Sequence, residues 1–157
     1  MVETTGDTTN ASATVRIGAS PQRLYDIVSD ISNMGRLSPE CTGGKWIGGS
    51  TGPAVGARFR GTNRRGPMWW FTTNEVVAAD PGREFTFRTR ESGAQWAYTF
   101  AEDGDGALVT ETRSMFKERP AVARWFTRLL GGTDAHDQEM VDGLAATLER
   151  LKAVAEE

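Results

Sequence analysis

A few side chains in this sequence are able to move protons or orient a ligand, and their spacing says which chemistry to look for. Glu111 lies in the run Leu108 to Phe116, where Val109, Glu111 and Arg113 alternate against Leu108, Thr110 and Thr112. If Val109 faces a core, so does Glu111, and a carboxylate among apolar groups must find a partner or keep its proton. Such a group is a candidate acid, base or hydrogen-bond partner for a ligand. Turned to solvent beside an arginine, the same glutamate does no chemistry; the sequence admits both readings. His136, the only imidazole, precedes Met140 by one helical turn. It is either a polar anchor over a ligand or a solvated helix-end residue near Asp134 and Asp137. Trp69, Trp70 and Trp96 are able to stack on a flat ligand, but aromatics of that size also fill the core of any curled sheet. Met140 likewise packs as readily as it touches a ligand.

The same inventory excludes much. One cysteine, Cys41, rules out an internal disulfide framework and a thiolate zinc cluster, and one histidine rules out a metal site that needs two. Nothing in the spacing supports a Cys41–His136 dyad. The glycine-rich stretch 48–56 lacks the P-loop lysine followed by serine or threonine, and it has no dinucleotide-binding context. No nucleophile elbow is present, and no carboxylate pair is spaced for glycoside cleavage. Arg58, Arg60, Arg64 and Arg65 cluster near Trp69 and Trp70, a mixture that nucleic-acid binders use. Alternating arginines are, however, the normal outer face of a half-buried sheet, and a net charge of −3 offers no global attraction for nucleic acid or anionic lipid. The expectations are no cofactor, no metal and no nucleic-acid partner.

The elements that must position these residues follow from periodicity. Residues 1–10 are a polar lead-in expected to fray. Ala13, Val15 and Ile17 alternate with Thr14 and Arg16, which is a strand with one buried face. Ser20-Pro21 is a helix start, and Leu24, Ile27, Val28 and Ile31 recur at helical spacing, so a helix is predicted over 21–31. A second, short helix is predicted over 33–38, closed by Pro39. Strand-type runs then follow at 45–47, 57–62, 69–78, 83–90, 95–101 and 108–116. Asp80-Pro81-Gly82, Glu91-Ser92-Gly93 and Asp103 to Gly106 are good hairpin connectors, so neighbours pair antiparallel. Val122, Trp125, Phe126, Leu129 and Leu130 form one apolar stripe after Pro120, and paired glycines at Gly131-Gly132 break it. A final helix is predicted over 134–154, with His136, Met140, Leu144, Leu148 and Leu151 in one row.

The result is an α+β domain over 11–155: a curved antiparallel sheet of about seven strands, two short helices after the first, and a long C-terminal helix across the concave face. Hydrophobic residues at 38% and charged residues at 25% are ordinary for one folded domain of this length. No apolar run approaches the ~20 residues of a spanning helix. The polar start lacks signal-peptide features. The chain is therefore expected to be cytoplasmic, without stable membrane insertion.

The helix start Ser20-Pro21-Gln22-Arg23-Leu24-Tyr25-Asp26-Ile27-Val28-Ser29-Asp30, the run Trp96 to Phe100 with its Asp103–Gly106 turn, and the strand Gly106 to Thr112 together resemble the START-like (SRPBCC) superfamily. Within it the resemblance is to the polyketide cyclase/dehydrase-like bacterial branch, over about residues 11–154. That resemblance implies a helix-grip fold with a hydrophobic pocket between sheet and helix. It also implies a pocket glutamate at the place of Glu111, as in ligand-sensing members, and glycine-rich loops that gate the pocket. The fold serves many functions, so function must be argued from the site.

Alternation assigns the lining: Phe59, Trp70, Asn74, Phe85, Phe87, Trp96, Tyr98 and Glu111 from the sheet, and His136, Met140 and Leu144 from the helix. The expected function is to bind a small hydrophobic molecule (lipid-, polyketide- or aromatic-like) as a carrier or sensor, the protein being a monomer or homodimer. An aromatase/cyclase-type enzyme using Glu111, Tyr98 or His136 as acid or base is the alternative. A protein-interaction module of the chaperone-activator type, using the outer sheet face instead, is the weaker alternative, and a collapsed interior would favour it.

Overall fold

In the computed structural model, residues 2–6, 10–116 and 133–157 are described, with backbone only for 133–141. The elements run β1 (Glu3–Gly6), β2 (Ala11–Ile17), α1 (Pro21–Ser29), a 3-10 turn (Ile31–Asn33) and α2 (Met34–Leu37). Then follow β3 (Cys41–Ile47), β4 (Arg58–Arg65), β5 (Met68–Asp80), β6 (Glu84–Thr89), β7 (Ala94–Asp103), β8 (Gly106–Met115) and α3 (Thr133–Ala155). All strands belong to one antiparallel sheet of eight, ordered β1-β2-β8-β7-β6-β5-β4-β3.

The sheet is a meander from β3 to β8 because each connector is a short turn. β2 returns to pair with β8 and places Val15 opposite Val109. The eighth strand is β1: the lead-in expected to fray pairs with β2, and Thr5 Oγ1 and Ser12 Oγ share a hydrogen bond of 3.0 Å. Its residues are polar, so no apolar alternation announced it.

Ser20 caps α1 by accepting from the Arg23 amide at 3.1 Å, with Pro21 in the first turn. The helix stops two residues before its predicted end. Asp30 takes an extended backbone there; its amide donates to the Asp26 carbonyl and its side chain accepts from the Ser32 amide, so one residue ends α1 and starts the 3-10 turn. β3 is longer than predicted, because Gly43 and Gly44 lie within the strand rather than in a turn, and Gly44 serves close approach. A Cβ on Gly44 would sit 2.8 Å from the Ile31 carbonyl oxygen, so only glycine lets the 3-10 turn lie against β3.

α3 crosses the concave face and packs on β2, β8, α1 and α2. Leu148 and Leu151 are fully buried there with Ile17, Leu24, Phe85 and Val109. Each such side chain contributes about 1.5–3 kcal/mol by leaving water. The stripe Val122, Trp125, Phe126, Leu129 and Leu130, and the Gly131-Gly132 break, lie outside the described residues.

Candidate functional site

The space between sheet and helix is not filled. A cavity of about 550 Å3 opens there, within the ~300–1,000 Å3 of small-molecule sites. β4 contributes Phe59, β5 Trp70 and Asn74, β6 Phe87, β7 Trp96 and Tyr98, β8 Glu111, and α3 Leu144. Those eight of the eleven expected lining residues are brought together. Phe85 is not among them. It shares a strand face with Phe87 as expected, but it is 0% exposed beneath α1, where the Tyr25 ring stands at 90° to it with centroids 6.3 Å apart. That end of the sheet is plugged, so Phe85 belongs to the core. The side chains of His136 and Met140 lie outside the described residues.

Glu111 faces inward, 2% exposed, on the same strand face as Val109 and Arg113. The β7–β8 register sets Tyr98 directly across from it, and the Tyr98 hydroxyl donates to Glu111 Oε1 at 2.8 Å. Oε2 is buried and has no hydrogen-bond partner among the described residues. No salt bridge joins Glu111 to a described residue, and burial pushes its pKa from 4.5 to about 8 against the opposing Tyr98 hydrogen bond. At neutral pH the carboxyl is therefore mostly protonated and carries a proton to donate. Burial first, then the neighbouring Glu111, raises the Tyr98 phenol well above its ordinary range. Arg113, two residues along β8, is also buried and holds its guanidinium 5.8 Å from the centre of the Trp96 ring.

A second polar wall lies across the cavity. Thr89 Oγ1 donates to Asn74 Oδ1 at 2.7 Å, and Asn74 Nδ2 donates to Thr72 Oγ1 at 3.2 Å and to the Phe59 carbonyl at 3.4 Å. Gly61 makes room for this network, because a Cβ there would lie 2.7 Å from Thr72 Oγ1. Among the apolar lining, Phe59 and Phe87 meet edge-on with ring centroids 5.1 Å apart.

Several lining residues escaped the sequence reading. Asn63 lines the cavity with a buried Nδ2 that has no partner among the described residues. Leu37, Pro39 and Cys41 close one side, and Gly143 and Thr147 border the cavity from α3. Cys41 is a free thiol that donates to the Gly43 carbonyl at 3.2 Å, and burial raises its pKa. The β4–β5 hairpin adds Arg64, Arg65 and Gly66. Its signal was Arg65-Gly66-Pro67, a turn whose Gly66 has φ +59°. The stretch 48–56, expected as a lid, does not line the cavity. Its end is tied to the plugged side, where the Gly56 amide donates to the Val76 carbonyl at 2.8 Å.

A curved sheet gripping one long helix, with a polar-studded hollow between them, is the architecture of the START-like fold. The chain belongs to the polyketide cyclase/dehydrase and lipid transport family, whose model matches residues 8–156. Among solved structures it is similar to a polyketide-cyclase-like protein, Cgl2372, of Corynebacterium glutamicum. The two are 27% identical, with 94% of this chain and 91% of that one covered and a TM-score of 0.66. A STAR-related lipid transfer protein of Xanthomonas axonopodis shares the fold at 13% identity and a TM-score of 0.69, over 99% of this chain and 94% of that one. The di-domain ARO/CYC protein StfQ of the steffimycin biosynthetic pathway shares it at 14% identity and a TM-score of 0.72, over 94% of this chain and 50% of that one. No curated protein matches the chain. Family membership supports a role in hydrophobic-ligand binding or cyclisation, and no helix among the described residues is long and apolar enough to cross a membrane.

Proposed function

We propose that this protein binds a small, largely hydrophobic molecule bearing a hydrogen-bond-accepting oxygen, and holds it in the cavity as a carrier or sensor. The observation that carries the reading is Glu111. Its Oε2 is buried at the cavity wall without a partner among the described residues, and its pKa near 8 keeps it a donor at neutral pH. A ligand carbonyl would satisfy that donor, while Phe59, Phe87 and Trp96 cover the apolar body. Burying about 300 Å2 of apolar ligand surface yields about 7.5 kcal/mol before the costs of association.

A second reading, an aromatase/cyclase-type enzyme, rests on the same carboxyl. An acid with a pKa near 8 is well placed to protonate a carbonyl or a departing hydroxyl during ring closure and dehydration. Aldol closure also needs a base. A protonated Glu111 and a Tyr98 phenol whose pKa is raised are both donors at neutral pH. Binding is therefore the stronger reading.

Native mass spectrometry of the protein as purified tests it. A co-purifying small molecule that is retained by Glu111→Gln, whose amide still donates, but lost from Glu111→Leu, or displaced by a plug at the cavity, supports binding. A protein that carries no ligand, and whose tryptophan fluorescence is indifferent to hydrophobic carbonyl compounds, refutes it. Turnover of a poly-β-ketone that is abolished by Glu111→Gln would establish the enzymatic reading instead.

A further inference from the structure

One face of the molecule departs from the acidic character of the rest. Between Cys41 and Asn74 the chain has five basic residues, Lys45, Arg58, Arg60, Arg64 and Arg65, and no acidic one, in a protein of net charge −3. All five are exposed. The register sets four of them, Lys45, Arg58, Arg60 and Arg64, on the outer face along one edge of the sheet, with Lys45 opposite Arg60 and Arg64 opposite Trp69, while Arg65 alternates to the cavity side at the hairpin. Among them stand two large apolar rings, Trp69 at 54% and Phe71 at 62% exposed. The Arg64 guanidinium lies 4.9 Å from the centre of the Trp69 ring, and Arg60 lies 5.5 Å from that of Phe71. The bordering carboxylates are Glu75, opposite Arg58, Glu91, which accepts from the Thr73 amide at 2.7 Å, and Glu40, whose backbone carbonyl accepts from the Arg64 amide at 3.0 Å and which shares the cavity rim with Arg64 and Arg65.

We propose that this basic, aromatic face of β3, β4 and β5 docks the protein on an anionic lipid surface. Tryptophan and arginine are both amphipathic, and tryptophan belongs at the headgroup level of a bilayer. Each basic residue near an anionic membrane contributes about 1 kcal/mol, which is roughly fivefold in partition. The charge is local, so attraction at short range does not require a positive molecule; the Debye length is about 8–10 Å at ordinary salt. Single-stranded nucleic acid fits less well, because each ring already has an arginine over it where a base would stack. A second copy meeting this face with its own would set like charges together. The same hairpin also continues into the cavity: Trp69 and Phe71 face out while Trp70, between them, lines the hollow with Arg64 and Arg65. Docking therefore brings the cavity rim to the bilayer.

Flotation of the full chain with vesicles of phosphatidylcholine, alone or mixed with phosphatidylglycerol, tests the proposal. Binding is expected only to the anionic vesicles and is expected to fall as salt rises. Lys45→Gln/Arg60→Gln is expected to lower the partition about twentyfivefold, the reversal Lys45→Glu/Arg60→Glu well beyond that, and Trp69→Ser/Phe71→Ser about tenfold. Far-UV circular dichroism shows whether each variant is folded. Equal binding to neutral and anionic vesicles, binding unchanged in folded variants, or tighter binding of a single-stranded oligonucleotide through the same residues would overturn it. The readout is independent of any cavity ligand, so it stands apart from the reading of Glu111.

Discussion

The two ends of the space under α3 are built from the same strands and have opposite characters. At the plugged end Val76, Phe85, Phe100 and Val109 face in, with Leu148 and Leu151 from α3 above them. The Tyr25 ring of α1 meets both Phe85 and Phe100 edge-on at 6.3 Å. A few residues along, β5 offers Asn74 and Thr72, β6 Thr89, β7 Tyr98 and Trp96, and β8 Glu111, while α3 offers Leu144 and Gly143. Sheet curvature is common to both ends. What differs is α1, whose Tyr25 fills one end and whose Val28 only borders the hollow, and the strand side chains, which turn polar beyond Tyr25. Buried polar atoms lacking partners among the described residues, Glu111 Oε2 and Asn63 Nδ2, belong to the hollow end. The hollow end thus keeps polar atoms that the described residues leave unmatched, and the oxygen of the proposed ligand would match them.

The largest test of this contrast is pH. Folding raises the Glu111 pKa from 4.5 to about 8, so the folded state favours the protonated carboxyl. Its stabilising contribution is whole below pH 4.5, shrinks as the unfolded chain ionises above that pH, and is gone once pH passes about 8. Urea denaturation across this window should show wild type losing up to about 5 kcal/mol relative to Glu111→Gln, with the variant the more stable above pH 8. Parallel curves for the two proteins would mean that the carboxyl is not held neutral.

Next in size, Phe85→Ala should cost about 3–5 kcal/mol, because it empties a filled site. Trp96→Ala, beside space already open, should cost about 1–2 kcal/mol in the same denaturation experiment. Equal losses would erase the distinction between the two ends. Gly143→Leu probes the hollow alone. A Cβ there meets only Pro39 Cγ at 3.8 Å, so the added side chain should enter the cavity, change stability by no more than about 1 kcal/mol and weaken binding of a hydrophobic probe at least tenfold by fluorescence titration. The smallest effect is Ser20→Ala. Losing the cap of α1, the element that plugs the closed end, should cost about 1 kcal/mol in thermal melts without changing probe affinity.

Much of this contrast was legible from period two. Alternation turned Asn74 and Tyr98 inward and left Glu111 open to either face, and the β7–β8 register makes Tyr98 and Glu111 neighbours. Alternation says which face a residue is on, but not whether the space before it is occupied. Phe85 and Phe87 are equivalent by pattern, and only the position of Tyr25, some sixty residues earlier, separates core from cavity. Gly61 and Gly143 carry no pattern at all, since their contribution is the absence of a side chain. Cys41 was set aside for want of a nearby histidine, although its place on β3 brings it to the cavity wall.

That last placement gives the molecule a built-in reporter. The lone thiol stands half-buried at the wall of the hollow, and burial raises its pKa, so a molecule seated in the cavity is expected to slow its reaction with a small uncharged alkylating reagent. The speed of labelling then counts the fraction of molecules whose interior is empty, and a tenant, whatever its identity, announces itself by protecting one sulfur.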